Sequence, residues 1–325
     1  MFDKDGYPFL FKNNSCSFYK NELFYGKATV CNVLYILNVD TLINNINVKR
    51  LKSGDLNSTY LWHCRLGHIN ETRISKLYKN GYLSTFDYES YGACESCLLG
   101  KMTKSPFKGK GERATEVLGL VHTDVCGPMS TQARGGYVYF ITFTDDRSRF
   151  GYVYLMRHKS ETFEKFKEFR FEVEKQTGKS IKVLRSDQGG EYLNSEFLDH
   201  LKQNGILSQW TPPGTPEMNG VSERRNRTLL DMVRSMMSRT ELPISFWGYA
   251  LLTAIFVLNR VPSKSVTETP YEIWKGKKPN LSFLKIWGCE AYVKRVDNNK
   301  LKPKSTRCLF VGYPKETNGY HFYHP

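Results

Sequence analysis

The chain has 325 residues, 40% of them hydrophobic, and a formal net charge of +15 at pH 7. This length predicts about two domains with a sizeable core, and the basic excess favours a polyanionic partner, above all a nucleic acid. No apolar run reaches the roughly twenty residues of a membrane span, and the eight cysteines are too scattered for a disulfide framework. Composition therefore excludes a membrane-spanning or disulfide-rich secreted protein and predicts an intracellular one.

The first 110 residues are predicted to form two small segments. Residues 1–45 read as a β-rich extension, with strands at Phe24–Gly26 and Asn32–Leu37. Residues 46–110 contain a helical pattern around Arg73–Tyr78. The end of this second segment is rich in Lys, Gly and Pro, which marks a boundary to the next domain.

Residues 111–275 have the pattern of an α/β domain. Apolar runs predict five strands, at 117–125, 137–143, 151–156, 181–186 and 207–211. Helices are predicted from Ser160 to Val173, from Asn194 to Asn204, over 217–239 and from Pro243 to Val261. The order of three strands, helix, strand, helix, strand and two helices predicts a mixed sheet with helices on both faces, as in the ribonuclease H-like fold.

Residues 276–325 form a separate basic segment, with ten Lys or Arg residues against three acidic ones. Short strands are predicted at Cys289–Val293, Arg307–Tyr313 and Tyr320–Tyr323, which together indicate a small β-barrel-like domain. Its lysines, represented by Lys302 and Lys304, are predicted to contact the backbone of DNA.

Three acidic residues are the strongest indication of a catalytic site in this sequence. Asp124 lies on the first predicted strand of the α/β domain, Asp187 directly follows the fourth, and Glu223 lies in the first turn of a helix, with thirty-five residues between the last two. Carboxylates brought to one sheet edge can hold two Mg²⁺ or Mn²⁺ ions for phosphoryl transfer. Each acid alone could be an ordinary turn or first-turn residue. Other acids nearby are interpreted as turn or surface residues: Asp145, Asp146 and Glu191.

Two histidines and two cysteines form a second constellation. His63 and His68 are followed, after twenty-five residues, by Cys94 and Cys97. Two thiolates and two imidazoles make a closed tetrahedral zinc site, whereas a Cys-x-x-Cys pair alone could also serve redox chemistry. The spacing of the histidines requires at least one to lie off a straight helix. Cys64 is predicted to pack rather than to bind metal.

Three segments resemble the integrases of copia-type LTR retrotransposons, especially those of plants: His122–Pro128, Arg185–Tyr192 and Gly214–Leu229. The block of histidines and cysteines is similar to the integrase N-terminal zinc module. The resemblance covers roughly residues 46–325. It implies metal-ligand and catalytic roles for Asp124, Asp187 and Glu223, a structural zinc, and a C-terminal barrel that binds DNA ends and neighbouring subunits.

The resemblance implies a metal-dependent polynucleotidyl transferase that processes the 3′ ends of element DNA and inserts them into target DNA. It implies action as a homo-multimer, in the nucleus when the target is chromosomal. A ribonuclease H-type nuclease is one alternative, although it would not need the zinc module or the basic C-terminal segment. A non-catalytic element-derived DNA-binding protein is the other, although all three acids are present.

The residues around the acids complete the predicted site. Arg224, Arg225 and Arg227 follow Glu223 on the same helix and are predicted to neutralise the DNA backbone. His122 lies two residues before Asp124 and is predicted to pack rather than to take part in catalysis. The predicted domains are 1–45, 46–110, 111–275 and 276–325.

Overall fold

The computed structural model describes residues 9–12, 15–20, 23–31, 34–37, 58–87, 94–101, 113–211, 216–263, 266, 268–295, 303–315, 317 and 319–325. The chain forms two compact units, Met1–Leu56 and Asn57–Pro325. The first unit contains an antiparallel sheet whose strands pair in chain order, β1 (Phe9–Lys12), β2 (Ser15–Lys20), β3 (Leu23–Cys31) and β4 (Leu34–Leu37). This agrees with the predicted β-rich extension.

The second unit begins with three short helices, α1 (Ser58–Arg65), α2 (Glu71–Lys79) and α3 (Glu95–Gly100). The side chain of Asn70 accepts a hydrogen bond from the backbone N–H of Arg73 and so caps α2, the helix predicted around this position. Ile74 and Leu77 on α2 are fully buried. We call residues 58–101 the helical module.

A five-stranded mixed sheet forms the centre of the second unit. Its strands are β5 (Val121–Cys126), β6 (Tyr139–Asp145), β7 (Gly151–Met156), β8 (Val183–Ser186) and β9 (Leu207–Trp210). They lie in the order β7-β6-β5-β8-β9. The first three pair antiparallel through short connections, whereas β8 is parallel to both β5 and β9. Parallel neighbours need crossover connections, and the intervening helices supply them.

Helices cover both faces of this sheet because its strands alternate apolar residues between the faces. On one face, Ile141 and Phe143 pack with α4 (Thr162–Thr177) and α5 (Ser195–Gln203). On the other face, Phe140 and Val153 pack with α6 (Pro216–Met237) and α7 (Trp247–Leu258). The predicted mixed sheet with helices on both faces is thereby confirmed. No helix within the described part of the chain is long and apolar enough to cross a membrane.

The chain ends in α8 (Pro270–Lys275) and a three-stranded antiparallel sheet of β10 (Glu290–Lys294), β11 (Ser305–Gly312) and β12 (His321–Tyr323). Val311 on β11 belongs to the same hydrophobic core as α6 and α7. The indole of Trp287 donates to the carbonyl of Val311 at 3.0 Å. Three strands were predicted here, and each is found within a few residues of its predicted position.

One local prediction needs correction, and another lies outside the described residues. The helix predicted to open at Ser160 begins as a 3-10 turn at Lys159–Glu161 and becomes α4 at Thr162, because His158 and Glu161 form the capping interaction. Its predicted apolar face is correct, since Phe163, Phe166, Phe169 and Val173 are buried. The predicted loop before α6 lies largely outside the described residues, as does Lys302.

Candidate active site and metal centre

The three predicted acids converge at one edge of the sheet. Asp124 lies in β5, and Asp187 follows the last residue of β8. The strands β5 and β8 are parallel, and His122 lies opposite Arg185. Two residues further along each strand, the same register places Asp124 beside Asp187. Glu223 lies on α6, which packs across β5 and β6. The topology therefore places a carboxylate from each of three elements in one region.

The other two carboxylates affect the pKa of Asp124. Burial and then the negative charge of Asp187 raise this pKa to about 7, with a smaller contribution from Glu223, against the opposing effect of a hydrogen bond from Asn226. Desolvation and like charges both disfavour a carboxylate, which explains the direction. Glu223 is exposed, whereas Asp124 and Asp187 are half-buried.

The sequence analysis missed Asn226, which holds Asp124 in place. Its Nδ2 group donates to Oδ2 of Asp124 at 2.9 Å, and its Oδ1 accepts from the hydroxyl of Thr142 on β6 at 2.9 Å. Asn226 is buried and lies three residues after Glu223, on the same side of α6. That spacing was the available signal in the sequence.

Divalent cations fit this set of residues. Two Asp and one Glu offer the hard oxygen ligands that Mg²⁺ and Mn²⁺ prefer. Among the described residues, no Lys, Arg or His forms an ion pair with Asp124, Asp187 or Glu223. A half-buried cluster of uncompensated negative charge is the environment in which a bound cation replaces the missing counter-charge.

We expect Asp124→Asn to stabilise the protein without added Mg²⁺, by an amount that grows as the pH rises from about 4 to 7 and is full above it. A folded pKa of about 7 lies above the ordinary value of 3.8, so folding favours the protonated form. The associated stability is present below about pH 4 and is lost as the pH rises through 7. The variant, which cannot ionise, should gain about 1–3 kcal/mol at pH 8.5 and almost nothing at pH 4.5. Thermal melts at both pH values measure this, and a pH-independent difference would contradict it.

His122 and two neighbouring acids form a structural network instead of a catalytic one. His122 is buried, and its Nε2 lies 3.0 Å from Oδ1 of Asp146, which agrees with the predicted packing role. Burial would raise the pKa of Asp146, but hydrogen bonds from His122 and Ala114 outweigh it and lower the pKa to about 2. Asp145 accepts from the backbone N–H groups of Leu118 and Ser148. Asp146 lies in the turn after β6 and Asp145 is the last residue of that strand, but neither is a surface residue, because both are buried acceptors.

The four predicted metal ligands of the helical module meet in one cluster. The ligand atoms of His63, His68, Cys94 and Cys97 all lie within 4.8 Å of one another. Nε2 of His63 lies 3.2 Å from Sγ of Cys97 and 3.2 Å from Nδ1 of His68, which in turn lies 3.4 Å from Sγ of Cys94. A tetrahedral zinc with ordinary bond lengths would separate such ligands by about 3.3–3.8 Å. These four side chains thus have the spacing that a zinc ion requires.

The protonation states of His68 and Cys94 also suit a metal, whereas hydrogen bonding to Cys94 and burial raise the pKa of Cys97. Burial lowers the pKa of His68 and so favours the neutral imidazole, which is the form that binds a metal. Hydrogen bonding from Cys97, and then from His63 and His68, lowers the pKa of Cys94. Nδ1 of His63 contacts the carbonyl oxygen of Ile69 at 2.6 Å, which leaves Nε2 facing the cluster.

The local backbone explains how the ligands meet. His63 lies on α1, whereas His68 lies beyond its end, where Gly67 and His68 both have a φ of 62°. This left-handed turn points His68 back towards His63, as the predicted off-helix position requires. Cys94 is the N-cap residue of α3, and Cys97 lies within that helix. Cys64 is buried, and the guanidinium of Arg239 donates to its sulfur.

The helical module packs directly on α6. A Cβ atom added at Gly100, the last residue of α3, would lie 2.5 Å from Oγ and 2.8 Å from the backbone N of Ser235. The guanidinium of Arg234 also donates to the carbonyl of Gly100 at 3.2 Å. The module therefore contacts the helix that carries Glu223.

We expect Gly100→Ala to lower the free energy of unfolding by about 1–3 kcal/mol, because overpacking at a backbone contact forces the two helices apart. The matched control is Gly190→Ala, where an added Cβ would meet nothing within 4 Å. Chemical denaturation of both variants tests the contact. Equal stability of the two would contradict the close packing of α3 on α6.

The predicted DNA-contact residues do not all point outward. Arg224 and Arg227 are exposed, and so is Lys304. Arg225 instead points inward and donates to Oδ1 of Asn259 at 2.8 Å, and burial lowers its pKa to about 9. Arg225 therefore does not lie on the exposed face of α6 with Arg224 and Arg227.

Comparison with protein families identifies three matching regions. The GAG-pre-integrase domain matches residues 33–102, the Integrase core domain matches 114–216, and the Retroviral polymerase SH3-like domain matches 289–325. All three acids lie in or next to the second match, and the His-Cys cluster lies in the first.

Comparison with individual proteins finds similar polyproteins that are several times longer than this chain. The Retrovirus-related Pol polyprotein from transposon TNT 1-94 of Nicotiana tabacum is 39% identical over 326 residues, which cover 99% of this chain and 24% of that protein. The polyprotein from transposon RE1 of Arabidopsis thaliana is 30% identical over 263 residues, or 80% of this chain and 18% of that protein. The chain thus spans about a quarter or less of the length of these relatives.

One similar solved structure is that of the HTLV-2 integrase catalytic core domain in complex with magnesium. It is 18% identical, with a TM-score of 0.39, and the similarity covers 50% of this chain and 99% of that one.

Proposed function

We propose, on the premise that the chain belongs to the integrases of retrotransposon Pol polyproteins, that it joins the 3′ ends of element DNA to target DNA. The observation that carries this proposal is the convergence of Asp124, Asp187 and Glu223, seen in the effect of the other two charges on the pKa of Asp124. Such a cluster suits phosphoryl transfer on a polyanionic substrate.

The reaction is a transesterification. The 3′-hydroxyl of an element end attacks a phosphorus atom of the target backbone in line. A new bond to that phosphorus forms and the bond to the target 3′-oxygen breaks; the attacking hydroxyl gives its proton to solvent, and the departing 3′-oxygen takes one up to become a hydroxyl. No covalent protein intermediate is needed, since one phosphodiester replaces another. Trimming of the element ends would follow the same course with water as the nucleophile.

The three carboxylates would hold two Mg²⁺ or Mn²⁺ ions. When bound, these ions would lower the pKa of the attacking hydroxyl and stabilise the departing oxygen. Asn226 would orient Asp124, because its amide donates to one oxygen of that carboxylate and leaves the other oxygen free to bind a cation. At neutral pH without a cation, Asp124 is partly protonated, so binding of a cation would release a proton.

His63, His68, Cys94 and Cys97 would hold a structural zinc ion. A set of four protein ligands leaves no open position for substrate, which is typical of structural sites. The basic residues exposed around α6, Arg224 and Arg227, and Lys304 in the C-terminal segment, would neutralise DNA phosphates. Two element ends must be joined to one target together, so the protein would act as a homo-multimer, in the nucleus when the target is chromosomal.

A strand-transfer assay with labelled terminal oligonucleotides and Mg²⁺ or Mn²⁺ tests the proposal. We expect joined products longer than the input DNA, and their loss when the divalent cation is omitted. An RNA–DNA hybrid serves as the comparison substrate. Cleavage of the hybrid without joined DNA products would favour a ribonuclease H-type nuclease and contradict the proposal. DNA binding without either reaction would favour the non-catalytic alternative.

A further inference from the structure

Four arginines surround a cavity of about 310 Å³ beside the candidate active site. Arg73 comes from α2 of the helical module, Arg149 from the turn between β6 and β7, and Arg224 and Arg225 from α6. Among the described residues that line this arginine cavity, none is acidic. The cavity therefore collects positive charge from three separate parts of the fold.

Among the described residues, little negative charge compensates Arg73, Arg149 and Arg225. Arg149 forms an ion pair with Asp146 at 3.2 Å, a carboxylate that also contacts His122. Arg225 donates to Asn259, which is neutral. The guanidinium of Arg73 forms no ion pair with a carboxylate in the described part of the chain, and burial lowers its pKa. Partly buried positive charges repel each other, and this repulsion costs free energy that a bound anion would offset.

Hydrogen-bond donors around the cavity also lack acceptors. The Nε–H groups of Arg149 and Arg225 are buried without a partner among the described residues. The hydroxyl of Thr144, which lines the cavity and is 1% exposed, likewise has no partner there. Buried polar groups are normally satisfied, so this concentration of unused donors indicates that a ligand with several acceptor oxygens belongs in the cavity.

We infer that the arginine cavity binds a phosphate group, supplied by the backbone of a DNA strand next to the three carboxylates. The planar guanidinium has a fork of donors that matches phosphate oxygens, and arginine is the preferred residue for such contacts. Arg224 is exposed, so the cavity is accessible from solvent on that side. A free phosphate or pyrophosphate has the same chemistry and is the other source of such a ligand.

The position of the cavity favours DNA. Thr144 lies on the same face of β6 as Thr142, two residues away, and Thr142 contacts Asn226, the residue that holds Asp124. Arg224 directly follows Glu223 on α6. A strand whose scissile phosphate lies at the carboxylates would thus have a neighbouring phosphate near the arginines. This inference rests on the proposed function, and it adds a residue of the helical module, Arg73, to the DNA-binding surface.

The test compares Arg73→Gln with Lys76→Gln in the full zinc-loaded chain. Both changes remove one positive charge from α2, but Lys76 is exposed and does not line the cavity. Binding of a labelled 20-base-pair duplex is measured by fluorescence anisotropy over a range of KCl concentrations, without Mg²⁺. We expect Arg73→Gln to weaken binding about tenfold and to reduce the salt slope by about 0.9, the effect of one lost phosphate contact. Lys76→Gln should change affinity less than about twofold.

A second variant and a second ligand separate the outcomes. Arg73→Glu should weaken DNA binding more than Arg73→Gln, and thermal melts confirm that both variants fold. Inorganic pyrophosphate should raise the melting temperature of the parent chain and of Lys76→Gln, but not of Arg73→Gln. If Arg73→Gln loses the pyrophosphate effect yet binds DNA as the parent does, the ligand is a free anion and the DNA assignment is overturned.

If Arg73→Gln matches Lys76→Gln with both ligands, the cavity is not a phosphate site and the inference is wrong. Strand transfer is not part of this measurement. A chain whose DNA binding depends on Arg73 but which joins no DNA would therefore contradict the proposed function alone.

Discussion

Glu223→Gln is expected to reduce strand transfer by about a thousandfold or more, on the scale of removing an essential member of a catalytic unit. The amide has nearly the same size as the carboxylate but carries no charge, so it can no longer hold a divalent cation with Asp124 and Asp187. Glu223 is exposed, so the substitution should leave the fold intact. The measurement is the rate of joined product formation in a single turnover with labelled terminal oligonucleotides and Mg²⁺.

Glu191→Gln is the matched control for this prediction. Glu191 lies in the same loop region as Asp187, and it forms an ion pair with Lys159 at 3.3 Å. It is not among the residues whose charges shift the pKa of Asp124. The control should join DNA at nearly the parental rate. Parental joining rates in both variants would reject the proposed role of Glu223. A lowered joining rate in both would show that the reaction needs negative charge in this region generally and not Glu223 in particular.

Cys97→Ser is expected to release the zinc ion and loosen the helical module. Serine replaces a thiolate by a hydroxyl that binds zinc poorly at neutral pH, and structural zinc sites contribute apparent binding energies of about 10–16 kcal/mol. The three helices of the module have six to nine residues each and would be marginal alone, so the metal and the burial of Leu66 and Ile74 would hold them together, and loss of the metal should loosen the ends that carry the ligands. Zinc content by elemental analysis and a thermal melt measure the effect, which should be a loss of one zinc per chain and a lower melting temperature.

Cys64→Ser provides the control within the same module. Cys64 is buried on α1 next to His63, but Arg239 donates to its sulfur and it lies outside the cluster of ligand atoms. This variant should keep its zinc, with only a small loss of stability. Retention of zinc by Cys97→Ser, or its loss by Cys64→Ser, would show that the ligand set is wrong. Chelation of the parent chain should reproduce the Cys97→Ser melt.

Local sequence patterns predicted most of the fold because local physics decides those elements. Asn194 and Asn204 bound α5 as predicted, since each residue satisfies free backbone groups at a helix end. The strand at Gly151–Met156 was predicted with its observed bounds because β-branched and aromatic residues fill it. The cluster of four His and Cys residues was also predictable, since ligand type and spacing limit the alternatives.

Contacts between distant residues were not predictable in the same way. The bond between Asn226 and Asp124 joins residues 102 positions apart, and it depends on how α6 lies across the sheet. Asp146 is buried because the turn after β6 folds over His122, which no local pattern reveals. Arg225 was grouped with Arg224 and Arg227 because all three follow Glu223 on one helix, whereas the absence of a side chain at Gly151 leaves room for the guanidinium of Arg225 against β7.

One hydrophobic core joins Leu66 and Ile74 of the helical module to Phe140 and Val153 of the five-stranded sheet and to Val311 near the chain end. Sections of the sequence that match three separate families thus share a single interior. A chimera that exchanges one section for that of a distant relative would set mismatched side-chain volumes against each other across this interior. Inheritance should therefore preserve these sections as a set, and recombinants with junctions between them should be rare among working elements.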